Sequence, residues 1–130
     1  MLSSITALDT NVLVRFLTND DPVQSSEARN IVAELTAAKP GYICREVMVE
    51  LVWVLERAYK YPRSDIAGAI EGLLEAEELK VEAADRVGLA CHRYAKGGPG
   101  FSDQMILLAA EAAEAKLVTF DVKLAGAAQV

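Results

Sequence analysis

The chain has 130 residues, which suits one α/β domain over residues 1–130 and leaves no room for a second. Hydrophobic residues make up 52% and charged residues 25%, so a packed core is available and a disordered tail is excluded. The formal charge of −6 stands against a generic nucleic-acid binder, which is usually basic.

In chain order, Ile5 to Leu8 reads as a short buried strand ending at Asp9, and Asn11 to Leu17 as a helix. Asp21-Pro22 opens a second helix, with an acid near the cap and proline in the first turn, running to about Ala38. Lys39-Pro40-Gly41 breaks it, and Tyr42 to Cys44 is the next strand. Helices are expected over Glu46 to about Tyr59 and Arg63 to Glu75, with Pro62 between them. A third strand is expected over Leu79 to Glu82 and a helix over Ala84 to Lys96, stopped by Gly97-Gly98-Pro99-Gly100. Ser102 is positioned to cap a helix to Ala115, and Leu117 to Phe120 reads as a final strand ending at Asp121. Short apolar strands alternating with helices predict a parallel sheet covered on both faces.

Ligands of such sheets gather beyond the carboxyl ends of the strands, and Asp9 and Asp121 each stand at such an end. Each also suits a plain helix cap. Glu50 interrupts the apolar run from Val47 to Leu55, where an unpaired buried carboxylate costs several kcal/mol or takes up a proton. The competing reading puts Glu46, Glu50 and Arg57 on one solvent-facing stripe. Asp103 follows Phe101-Ser102 in a first helical turn, a position that also suits the helix dipole. Together, Asp9, Glu50, Asp103 and Asp121 form a set of hard oxygen ligands suited to Mg²⁺ or Mn²⁺. Such ions activate water and steady the charge of a phosphodiester displacement.

Cys44 and Cys91 lie far apart without metal-ligand spacing, so neither a zinc site nor a disulfide framework is indicated, and a cytoplasmic location is expected. Met1-Leu2-Ser3-Ser4 lacks the basic region and apolar core of a signal peptide. Arg15 and Glu50 interrupt the apolar runs before membrane-spanning length, so no membrane association is expected. His92 is the only histidine and has no nucleophile motif beside it. Aspartyl phosphatases need a second Asp two residues after the first, and Asn11 stands there. A receiver domain needs an acidic pair close to the first strand, and Asp20-Asp21 lies too far downstream.

The segment Leu8-Asp9-Thr10-Asn11-Val12-Leu13-Val14-Arg15-Phe16-Leu17 resembles the opening of PIN-domain proteins, most nearly the VapC-type toxins of toxin–antitoxin pairs. Glu50 with Leu51 to Leu55, Phe101-Ser102-Asp103, and Val118-Thr119-Phe120-Asp121 with Leu124 resemble that family's later acidic motifs. The likeness runs from about Ile5 to Leu124. It implies a three-layer α/β/α, flavodoxin-like fold and Mg²⁺- or Mn²⁺-dependent RNA cleavage by Asp9, Glu50, Asp103 and Asp121. Homodimers and inhibition by a small VapB-type antitoxin are implied with it. Many relatives carry a further acid three residues before the third site, where this chain has Gly100. A non-catalytic module binding RNA or a protein partner is the alternative. A basic rim of Arg15, Arg45, Lys60 and Arg63 is the candidate guide for RNA, since salt confines fields to about 8 Å.

Overall fold

The computed structural model describes residues 4–128. The opening Met1-Leu2-Ser3, expected to carry no leader, lies outside them. The elements are β1 (Thr6–Ala7), α1 (Thr10–Leu17), α2 (Pro22–Ala33), β2 (Gly41–Ile43), α3 (Arg45–Arg57), α4 (Arg63–Glu75), β3 (Leu79–Val81), α5 (Ala84–Ala95), α6 (Phe101–Ala112) and α7 (Val122–Ala128). The strands are parallel in the order β1-β2-β3, within the expected three-layer α/β/α architecture. Among the described residues no helix is long and apolar enough to cross a membrane.

The central strand packs closely against neighbouring leucines. A Cβ at Gly41 would stand 2.7 Å from Leu35 Cδ1 and 2.9 Å from Leu8 Cδ1, so a side chain there would require these leucines to shift. Leu8 N donates to Tyr42 O at 2.9 Å and Glu82 N to Ile43 O at 2.8 Å, extending the pairing past the strand ends. The helices bury Leu13, Met48, Leu51, Ile66, Ile70 and Val87 completely around Ile43. At roughly 2 kcal/mol for each large apolar side chain, this burial is the main term holding the layers together.

Three expectations are corrected. Helix α2 stops at Ala33 and not near Ala38, because Glu34 N and Leu35 N bond back to the carbonyls of Ile31 and Val32. This tighter pattern ends the helix, and Thr36 and Lys39 then exchange a pair of backbone bonds. Ser102 does not cap α6: Gly100 holds that position and offers no side chain. The final strand is absent. Leu117 to Phe120 is irregular, with Val118 81% and Phe120 103% exposed. Apolar alternation makes a strand only where a neighbouring strand and a buried face receive it, and this segment pairs with neither.

Metal-free hydrogen exchange tests this last correction. The amides of Val118 and Phe120 are expected to exchange with the fastest sites in the chain, while those of Ile43 and Val81 are protected to near the global opening limit. Equal protection of both groups would restore the fourth strand.

Candidate metal and RNA site

Each of the four acids is placed by a local structural reason. Asp9 follows buried Leu8 in extended backbone and is the N-cap of α1, its Oδ1 accepting from Val12 N at 3.1 Å. Asp121 does the same for α7, with Oδ1 accepting from Leu124 N at 3.0 Å. Both therefore fill the cap role that the sequence allowed for them. Capping uses one oxygen of each carboxylate, and the other makes no hydrogen bond among the described residues.

Asp103 lies in the first turn of α6 and is half-buried. A Cβ built on Gly100 would lie 3.9 Å from Asp103 Oδ2. A side chain at position 100, where the resemblance leads to the expectation of a further acid, would thus begin in ordinary contact with this carboxylate. Here that space is left open.

Glu50 is corrected. It is exposed, as are Glu46 and Arg57, so the solvent-facing stripe describes α3 better than a buried charge. The apolar residues on either side turn inward at Met48, Leu51, Val52 and Leu55. Glu50 borders a groove of about 640 Å³ between α3 and α6. Trp53, Met105 and Ile106 are among its apolar lining, and Arg86 and Ser102 line it as well. Trp53 is 57% and Ile106 50% exposed, and the Arg57 guanidinium lies 5.5 Å from the Trp53 ring centre.

The structure thus brings Glu50 and Ser102, the neighbour of Asp103, to one groove. Asp9 opens instead onto a smaller hollow beside Asn11, Arg15, Gln24 and Glu27. Among the described residues, no three His, Cys, Asp or Glu side chains converge tightly enough to hold an ion. The donors match Mg²⁺ or Mn²⁺ in kind, being carboxylates with free oxygens. Their gathering is not built into this arrangement, because Asp121 follows the unpaired segment and Glu50 points to solvent.

The expected basic rim is also revised. Arg15 donates to Gln24 Oε1 at 2.8 Å and Asp20 Oδ1 at 2.9 Å, and Tyr59 OH donates to Asp20 Oδ2 at 2.8 Å. The Tyr59 bond first, helped by Thr18 and Arg15, holds the Asp20 carboxyl below its ordinary value against the opposing effect of burial. Arg63 is spent on backbone carbonyls, and Arg45 on Glu82. Of the four candidates only Lys60 makes no hydrogen bond or ion pair among the described residues.

Sequence reasoning missed Arg86, which lines the groove and has no such partner either. Its signal was a basic residue in the first turn of α5, against the helix dipole. It also missed Glu82. Helix α3 has no side-chain cap of its own, and Glu82 Oε1 accepts from Arg45 N at 2.9 Å while Oε2 lies 3.3 Å from Arg45 Nε. That backbone bond, with the Arg45 charge, outweighs desolvation and lowers the Glu82 carboxyl from its ordinary 4.5.

The family models settle the class: the PIN domain model matches residues 6–129, and the chain belongs to that family. It is also 30% identical over 96 residues to the VapC ribonuclease of Aquifex aeolicus (strain VF5), covering 74% of this chain and 71% of that protein.

A lowered folded value means that Glu82 stabilises the protein above the unfolded value and loses that contribution as pH falls through the folded one. The melting temperature of the wild type is therefore expected to drop below about pH 4.5 more steeply than that of Glu82→Gln. Identical pH profiles would remove the Glu82 cap from the account.

Proposed function

We propose that this chain is a VapC-type toxin, a metal-dependent endoribonuclease that hydrolyses RNA phosphodiesters. The observation that supports this reading is that the chain belongs to the PIN family and is similar to a VapC ribonuclease; its sequence carries Asp9, Glu50, Asp103 and Asp121 in segments that resemble that family's acidic motifs. Asp9, Glu50, Asp103 and Asp121 would hold Mg²⁺ or Mn²⁺, drawn together as the ion binds. When bound, such ions activate a water and neutralise charge on the phosphodiester.

The remaining roles belong to the chain. Arg86 offers an unpaired guanidinium to a phosphate of the RNA, and a guanidinium suits phosphate geometry. The apolar lining at Trp53 and Ile106 adjoins Glu50 and is the face we assign to a second copy in a homodimer. A VapB-type antitoxin would inhibit by presenting an Arg or Lys to the carboxylates, and both proteins would act in the cytoplasm.

A second reading has a specific observation behind it. Gly100 stands where the resemblance leads to the expectation of a further acid, and no three acids converge among the described residues. A PIN module that binds RNA or a protein partner without cutting fits those two facts.

Incubation of the pure protein with total RNA separates the readings. Cleavage is expected with Mn²⁺ or Mg²⁺, none with excess EDTA, and none from Asp9→Asn, which keeps the cap but loses the charge. Product ends are expected to be 5′-phosphate and 3′-hydroxyl, as attack by water leaves them. Activity surviving in chelator, or cyclic phosphate ends, would contradict the metal-and-water mechanism; binding without cleavage would favour the second reading.

A further inference from the structure

We propose that Arg63 is a positioning residue for the acidic site, fixing where α6 begins and so where Asp103 and Ser102 stand relative to Glu50. This rests on the nuclease reading above. Helix α6 has no side-chain cap, since its N-cap is Gly100, and the two preceding residues must be held by something else. Arg63 Nη2 donates to Gly98 O at 2.9 Å, and Nη1 donates to Tyr94 O at 2.9 Å and Pro99 O at 3.4 Å. One guanidinium thus joins the end of α5 to both residues before the N-cap. Gly97 and Gly98, at φ of 100° and 80°, permit the turn that aims these carbonyls inward.

The guanidinium is itself fixed from below. Its carbon lies 4.6 Å from the centre of the Tyr94 ring. That ring meets Phe101, the first residue of α6, edge to face at 6.0 Å, and its hydroxyl donates to Glu56 Oε2 of α3 at 2.6 Å. Arg63, Tyr94, Phe101 and Glu56 therefore form a continuous link from α4 through the start of α6 to α3. Helix α3 carries Glu50, and the first turn of α6 carries Asp103 two residues after Phe101. Arg63 stands at the first position of α4, where a cation opposes the helix dipole. A lysine has one compact charge and cannot span three carbonyls in the same way.

The test compares wild type, Arg63→Ala, Arg63→Lys and the core variant Val87→Ala, which serves as a control for general destabilisation. Metal-free hydrogen exchange is read at residues 97–104, and the Mn²⁺ concentration giving half-maximal RNA cleavage is read below the melting transition of each protein. In Arg63→Ala the amides of Gln104, which donates to Gly100 O at 3.0 Å, and of Gly97, which donates to Tyr94 O at 3.1 Å, are expected to exchange about tenfold faster, with the sheet amides unchanged. The Mn²⁺ half-saturation point is expected to rise about tenfold or more, the usual scale for losing a group that orients metal ligands. Arg63→Lys recovers part of both effects and provides the same readouts if the alanine variant does not fold. Val87→Ala lowers the melting temperature and leaves the half-saturation point in place. Unchanged exchange at residues 97–104, an unchanged Mn²⁺ requirement, or an equal rise in Val87→Ala would overturn the proposal. A wild type that cleaves nothing with Mn²⁺ would instead contradict the nuclease reading. The exchange data would still decide whether Arg63 holds the start of α6.

Discussion

Carboxylates repel one another, and the four-acid site proposed for this chain would have to be assembled against that repulsion. At an effective dielectric of 20, two such charges 5 Å apart oppose each other by about 3 kcal/mol, an upper figure that water reduces. In the metal-free chain the four acids have separate structural positions. Asp9 and Asp121 satisfy backbone donors at the starts of α1 and α7, Asp103 sits in the first turn of α6, and Glu50 faces solvent from α3. Three of the four are thereby placed where a helix dipole favours negative charge. The caps leave one oxygen of Asp9 and one of Asp121 free to turn to a cation without giving up the helix.

The same economy runs through the scaffold around them. Helices α3 and α6 both begin without a side-chain cap of their own, and both are fastened from other elements. Glu82, just past β3, holds the first amide of α3, and Arg63 on α4 holds the carbonyls that lead into α6. The groove bearing Glu50 and Ser102 therefore has its walls set by two long-range polar contacts standing on a fully buried apolar core.

Local signals made most of this fold legible. Pro22 and Pro62 punctuate where α2 and α4 begin, and Gly97 to Gly100 separate α5 from α6. Asp9 and Asp121 stood out because each follows a short apolar run. The failures share one cause, dependence on distant partners. Leu117 to Phe120 has the composition of a strand, but a strand requires a ladder, and its neighbours cannot be read from the segment itself. Glu50 looked buried because its neighbours are apolar, whereas the 3.6-residue period turns it outward while Leu51 and Val52 turn in. Arg15, Arg45 and Arg63 resembled a basic rim, yet each is committed to partners on other elements or loops. Arg86, unpaired on the groove, had no apolar context to draw notice.

The central claim is that the four acids come to share a cation, and the melting temperature as a function of Mn²⁺ tests it without relying on turnover. An ion that binds only the folded chain raises stability by about 2.7 kcal/mol at a hundred times its dissociation constant. The account predicts a clear rise for wild type and a smaller one for each of Asp9→Asn, Glu50→Gln, Asp103→Asn and Asp121→Asn. A wild type that melts at the same temperature with and without millimolar Mn²⁺, or variants that gain as much as wild type does, would contradict it.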